Sequence, residues 1–150
     1  MHLRAPIVLV EDDANDALFV RQALEAAQIA NPLVQFTSAE QVRRDVTSFD
    51  ALIDPIVLFI LDINLSGNES GIDLLRWLRE QTPPLGQTPA IMLTGSDHPA
   101  HSTESRRLGT TAFLLKPVTD GTLTEAVRSL GFHVVTSLVS GRLMFRIERR

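Results

Sequence analysis

Four acids, a threonine and a lysine–proline pair stand at the ends of short apolar runs. Glu11, Asp12 and Asp13 follow PIVLV, Asp62 follows IVLFIL, Thr94 follows PAIML, and Lys116–Pro117 follows AFLL. A carboxylate at the end of a buried run has lost hydration and needs a compensating partner. Carboxylates brought together also repel, by roughly 4 kcal/mol per pair at 4 Å with an effective dielectric of 20. A divalent cation relieves that repulsion. An oxygen-only donor set without His or Cys suits Mg²⁺, which needs only one or two direct carboxylates. Glu11, Asp12 and Asp62 are therefore metal-ligand candidates, and Lys116 is a candidate counter-ion for Asp62. Pro117 directs the turn after Lys116 and is a candidate for a cis peptide bond. Each residue also has an ordinary role open to it. An acid between a strand and a helix is commonly an N-cap, which fits Asp13 best. Asp62 could start an Asx turn with Asn64 and Ser66 behind it, and Thr94 could bond its own backbone.

These groups matter together only if a fold brings their strand ends to one edge. The runs Pro6–Val10, Leu33–Phe36, Ile56–Leu61, Pro89–Leu93 and Ala112–Leu115 are short and rich in branched residues, as in strands buried on both faces. Helix-period segments lie between them. Asp16–Ala27 places Phe19, Val20, Ala23, Leu24 and Ala27 on one stripe, and Gly71–Glu80 does so with Ile72, Leu75 and Leu78. Segments 39–47 and 99–108 have weaker helical patterns. Strand and helix thus alternate five times, which predicts a doubly wound α/β fold with a five-stranded parallel sheet. In such folds functional groups gather outside the carboxyl ends of the strands, where every candidate lies.

The 150 residues amount to one domain's worth, able to bury its own core. With 44% hydrophobic and 21% charged residues the composition is that of a soluble globular chain. No apolar stretch approaches the roughly 20 residues that span a bilayer. The N-terminal apolar run passes straight into acids and reads as a strand, not a signal peptide. These features predict a cytoplasmic protein with no membrane partner. The absence of cysteine excludes disulfides and thiolate chemistry, and a net charge of −4 argues against nucleic acid as a partner.

The joint order of acid pair, Asp, Thr and Lys-Pro resembles the receiver domain of two-component response regulators over about residues 5–130. VEDD resembles that family's acidic pair, ILDIN its phosphoacceptor strand end, MLTG its hydroxyl switch and AFLLKP its aromatic–x–x–Lys-Pro segment. The resemblance implies a flavodoxin-like (βα)5 fold in which Asp62 accepts a phosphoryl group from a histidine kinase. It implies that Glu11, Asp12 and Asp62 hold Mg²⁺ (or Mn²⁺) together with the backbone carbonyl of Asn64. Lys116 would pair with phosphoryl oxygens, Thr94 would move to bond one of them, and Phe113 would be the rotating aromatic. Asn64 and Ser96, two residues beyond Asp62 and Thr94, occupy positions that tune the phosphoryl lifetime in this family. The chain departs from the pattern at Glu11, where Asp is commoner, and at Ser66, where Pro is usual. The loop before Gly71 is one residue longer, and Phe113 lacks the hydroxyl of a Tyr.

A receiver would usually end near Gly131, whereas this chain continues to Arg150. We divide it into a receiver at 1–131 and an extension at 132–150 without a separate output domain. The apolar positions 123, 126, 127, 130, 134 and 138 keep helical spacing, which predicts one extended C-terminal helix over about Thr122–Leu138. Phe132, Val135, Leu138 and Val139 would then overhang the sandwich as an apolar dimer interface. FHVVTSL and RLMFRIE also read as two strands of a hairpin. The overhang and the EDDAND start resemble stand-alone regulators found beside bacterial phytochrome kinases, which pair through their carboxyl-terminal part. That resemblance implies a sensor histidine kinase of the bacteriophytochrome type as partner and a homodimer through the C-terminal helix and tail. A phosphorylation-independent pseudo-receiver and an aspartyl-phosphate hydrolase are the rival readings. Arg43–Arg44 and Arg106–Arg107 read as solvated helix charges, Trp77 as helix packing, and His98 with His101 as surface residues.

Overall fold

The computed structural model describes residues 5–52, 55–65, 69–95, 103, 106–109 and 112–148. Five parallel strands, β1 (Ile7–Val10), β2 (Leu33–Phe36), β3 (Leu58–Asp62), β4 (Ala90–Thr94) and β5 (Ala112–Leu115), form one sheet in the order β2-β1-β3-β4-β5. This is the flavodoxin-like doubly wound order. Alternate residues of each strand serve opposite faces. Ile7, Leu9, Leu58 and Ile60 join one core with Val20 and Leu24 of α1 (Ala14–Ala26) and Leu123 of α4 (Asp120–Ser129). Val8, Val10, Phe59 and Leu61 join the other, with Val42 of α2 (Ala39–Leu52) and Leu75 and Leu78 of α3 (Gly71–Arg79). Burial on both faces is why the strands read as unbroken apolar runs.

Helix α1 buries Ala17, Val20, Ala23 and Leu24, but Phe19, expected on that stripe, is 43% exposed. The helix starts two residues before the expected Asp16, and the small Ala17 completes the buried stripe. Of the expected helix at 99–108, Thr103, Arg106 and Arg107 are helical, Leu108 lies in the turn that follows, and the others, His101 included, lie outside the described residues, as does His98. No helix among the described residues is long and apolar enough to cross a membrane.

The extended C-terminal helix is not formed. Helix α4 stops at Ser129, and Gly131 takes a left-handed φ of +71°, the usual glycine stop just past a helix end. The chain then forms an antiparallel hairpin, β6 (His133–Val139) and β7 (Arg142–Glu148). The β-branched run VVT favours a strand, and Ser140 and Gly141, both at positive φ, make the two-residue turn whose twist suits a hairpin. The expected interface residues therefore lie on a hairpin. Phe132 packs against the core, Val135 is half-buried and Leu138 is 76% exposed; Val139 pairs with Arg142, and its side chain lies outside the described residues.

The hairpin docks at the end of the sheet opposite the strand carboxyl ends. Ile147 is buried in the core of α1 and α4. The buried Asn31 amide donates to the carbonyls of Ala5 and Ile147, both at 3.0 Å, and its oxygen accepts from Ile147 N at 2.8 Å. One side chain thus satisfies three backbone groups of two segments where the hairpin meets the sheet.

Candidate functional site

The crossing between β1 and β3 is the topological switch point of the sheet, and the acids sit at its carboxyl edge. Asp62 is the last residue of β3 and only 2% exposed, while Glu11 follows β1 and is fully buried. One carboxylate oxygen from each of Glu11, Asp12 and Asp62 lies within 4.8 Å of the others. Asp12 is exposed. Asp13 instead takes the ordinary role open to it. It caps α1 by accepting from Asp16 N at 2.9 Å, and its own N–H donates to Glu11 Oε1 at 3.1 Å.

Lys116 reaches this cluster from the end of β5. Its N–H donates to the Thr94 carbonyl at 2.9 Å, which ties the chain after β5 to the end of β4. The peptide bond to Pro117 is cis, as expected. The ammonium donates to Asp62 Oδ2 at 2.8 Å and to Asp16 Oδ2 at 2.9 Å. Glu11 Oε2 lies 3.1 Å from the same nitrogen, near enough for charge attraction. No hydrogen bond is aimed at it, and it is the one buried side-chain atom without such a partner among the described residues. Two of the three ammonium protons already go to Asp62 and Asp16.

Burial pushes the Glu11 carboxyl up from 4.5 to about 7, aided by its hydrogen bond to and repulsion from Asp62. The Asp13 N–H and Lys116 pull it the other way. Burial also works against the Lys116 charge, but hydrogen bonds to Asp62 and Asp16 and the pull of the Glu11 carboxylate outweigh it and raise its pKa. For Glu11 the folded chain holds a proton that the unfolded chain has released between pH 4.5 and 7. Stability of the metal-free protein therefore falls as pH rises through that window, by about 3 kcal/mol at most. Glu11→Gln is expected to flatten this part of the stability–pH curve. Urea unfolding in EDTA between pH 5 and 8 checks it, and an unchanged slope would count against Glu11 as the source.

Thr94 ends β4 and is 3% exposed. Phe113, in β5, is half-buried against the core beneath α2 and α3. Asn64 is exposed, and its N–H donates to Asp62 Oδ1 at 3.0 Å, so the Asx turn open to Asp62 is present alongside its ion pair. Ser96 lies outside the described residues. The structure thus brings Glu11, Asp12, Asp62 and Lys116 together and leaves Phe113 packed in the layer behind them.

Two members of this neighbourhood escape the sequence reading. Asp16 reads as a helix start, yet it is one turn beyond Asp12 on a helix whose N-terminus faces the cluster, and that spacing was the available signal. Gly71 reads as a helix boundary, yet its amide donates to the Ile63 carbonyl at 2.9 Å and a Cβ there would stand 2.0 Å from the Asp62 carbonyl oxygen. Only spatial packing reveals that contact.

The donor set fits a divalent cation. It comprises clustered carboxylate oxygens, one of them buried and without a hydrogen bond, faced by a single ammonium.

Comparison with known proteins agrees with this architecture. Residues 7–128 match the family model described as the response regulator receiver domain. The transcriptional regulatory protein CpxR of Escherichia coli strain K12 is 30% identical over 124 residues, which are 83% of this chain and 48% of that protein. The chain therefore spans about half the length of the curated relatives it matches. The bacteriophytochrome response regulator RtBRR superposes with a TM-score of 0.77 at 27% identity, covering 92% of this chain and 86% of that one. The bacteriophytochrome response regulator AtBRR gives 0.74 at 27% identity, covering 91% and 98%. With its sheet order, its acidic switch-point cluster and the match over most of its length, the chain belongs to the response regulator receiver domain family.

Proposed function

We propose that Asp62 is the phosphoacceptor of a response regulator that takes its phosphoryl group from a sensor histidine kinase and answers by changing its partner binding or dimer state. The observation that carries this reading is the 2.8 Å contact between Lys116 Nζ and the buried Asp62 carboxylate, set beside Glu11 at the switch point. An Asp62 carboxylate oxygen attacks the phosphorus of a phosphohistidine. The new O–P bond forms as the N–P bond breaks, and the bonding pair leaves with the imidazole. Such transfer depends on in-line positioning and neutralised equatorial oxygens more than on covalent chemistry. Lys116 holds Asp62 in place beforehand and is positioned to pair with phosphoryl oxygens afterwards. Glu11, Asp12 and Asp62, with the Asn64 carbonyl, would hold Mg²⁺ or Mn²⁺, and the bound ion supplies charge neutralisation to the transferred group.

The product adds about −1.5 to −2 charge at the end of β3. The Thr94 hydroxyl and the Lys116 ammonium stabilise that charge, and repacking of Phe113 carries the change to the surface of β5. Turning a mostly-off domain mostly on takes about 5.5 kcal/mol of differential interaction. Two or three charge-assisted hydrogen bonds of ~1.5–3 kcal/mol each are of that size. Asn64 and Ser96 tune how long the phosphoryl group persists. The chain acts as a signalling phosphoacceptor and catalyses only its own phosphorylation and dephosphorylation. Residues 1–131 form the receiver unit and 132–150 an appended hairpin and tail.

Incubation with Mg²⁺ and acetyl phosphate, followed by intact-mass measurement, tests the reading. One added phosphoryl group is expected, absent from Asp62→Asn. No adduct at any Mg²⁺ concentration favours the pseudo-receiver, and turnover of unrelated phosphoesters favours the hydrolase.

Similarity to two bacteriophytochrome response regulators supports a kinase of that type as partner. The homodimer reading passes from the helix to the hairpin, where Leu138 and Leu143 are paired in register and 76% and 46% exposed. Changing both leucines to Ser is expected to lower the mass seen by light scattering towards the monomer. An oligomer that persists in this variant removes the hairpin from the interface.

A further inference from the structure

The described residues between Asp62 and Gly71 are held in three different ways. The first part of this connection is held by burial, since Ile63 and Leu65 are 1% and 9% exposed within the core under α2 and α3. Its far end is held by the backbone bond from Gly71 to Ile63 and by the Ser70–Asp73 capping box. Between these lies SGNE, residues 66–69, which has no apolar side chain to bury. Within that stretch Glu69 is the described residue, and its anchor comes from another element. Arg43 of α2 ion-pairs through Nη2 with Glu69 Oε1. The Arg43 guanidinium carbon also lies 5.7 Å from the centroid of the Trp77 ring on α3, within cation–π range. One guanidinium thus joins α2, the loop and α3. The pair is 42% and 24% exposed, so an isolated salt bridge there would be weak. Seating the planar group on the ring fixes it beforehand and reduces the ordering needed to hold Glu69.

We propose that Arg43 is a positioning residue of the Asp62 site: seated on Trp77, it holds Glu69 and with it the Ser70–Gly71 end that bonds Ile63, next to the Asn64 amide that orients the Asp62 carboxylate. The inference rests on Asp62 being the phosphoacceptor. The influence of Arg43 passes from Glu69 through the Gly71–Ile63 backbone bond to Asn64, whose N–H donates to Asp62 Oδ1 at 3.0 Å.

The test compares Arg43→Met, Glu69→Gln, the double variant and Arg43→Lys. Arg44→Met serves as the control, since Arg44 pairs with its neighbour Asp45. Hydrogen exchange of residues 63–71 without any phosphodonor should quicken about three- to tenfold in Arg43→Met, the size expected of one ion pair plus one cation–π contact. The double variant should exchange no faster than Arg43→Met. With Mg²⁺ and acetyl phosphate, Asp62 phosphorylation should slow by a similar factor. Arg43→Lys should recover less than half of the loss, because an ammonium lacks the planar fork. Unchanged exchange overturns the proposal, as do fully additive effects of the two single changes. Faster exchange with an unchanged phosphorylation rate shows a tether with no bearing on the site and also overturns it. No phosphoryl group on the unsubstituted protein overturns the phosphoacceptor reading and this role with it, while the exchange data still decide whether Arg43 holds the loop.

Discussion

Lys116→Met is expected to leave the metal-free protein about 2–4 kcal/mol less stable at pH 7.5, since one partner of a buried ionic cluster is lost. It is also expected to slow phosphorylation by acetyl phosphate about a hundredfold, the usual cost of removing one preorganised donor from developing charge. Met keeps the length of the stem, so the change tests the charge. The ammonium contacts Asp62, Asp16 and Glu11 at 2.8, 2.9 and 3.1 Å. Its pKa is raised above 10.5, so its contribution is fully present at neutral pH and is lost only as pH climbs through the folded-state value. In the variant the three carboxylates face one another uncompensated, and protonation is their remaining relief. The variant should therefore gain stability as pH falls from 7.5 to 5.5, more steeply than the parent. Urea midpoints in EDTA at the two pH values measure this, and added Mg²⁺ should restore part of the loss at pH 7.5. Equal midpoints for variant and parent would show that Lys116 does not hold the cluster together.

The strands were legible because a sheet buried on both faces leaves an unbroken apolar run, as in Leu58–Leu61. The candidate site was legible because the fold gathers strand ends, so Glu11, Asp62 and Lys116 could be placed together without knowing any distance. What stayed hidden depends on three-dimensional proximity alone. Asp16 meets Lys116 across 100 positions of sequence. Arg43 reads as a solvated helix charge, yet it reaches both a loop glutamate and an indole. The C-terminal reading failed for a different reason. Apolar spacing at 130, 134 and 138 satisfies a helix period and also a strand's alternation, so periodicity could not separate them. The deciding signals were local: a left-handed glycine at 131 and the Ser140–Gly141 pair, whose positive φ angles favour a tight hairpin turn.

Gly71→Ala sets two effects against each other. Alanine is the better helix former by about 0.5–1 kcal/mol, so propensity alone predicts a more stable protein. Space predicts the reverse. The added Cβ would lie 2.0 Å from the carbonyl oxygen of Asp62, 2.8 Å from its carbonyl carbon and 3.1 Å from Ile63 Cα. All three are backbone atoms, so no flexible side chain can swing aside. Either α3 withdraws from the end of β3 or Asp62 moves with its carbonyl, and each course loses packing in a filled core. A net loss of about 2–4 kcal/mol is expected, the range of a forced backbone shift. Displacing Asp62 by about 1 Å should also slow its phosphorylation by about a hundredfold. Gly121→Ala in α4 supplies the contrast, because its added Cβ meets nothing nearer than Thr119 Oγ1 at 4.0 Å. That variant should keep the propensity gain and the full phosphorylation rate. If Gly71→Ala proves as stable and as readily phosphorylated as Gly121→Ala, the close approach of α3 to Asp62 does not fix the position of that carboxylate.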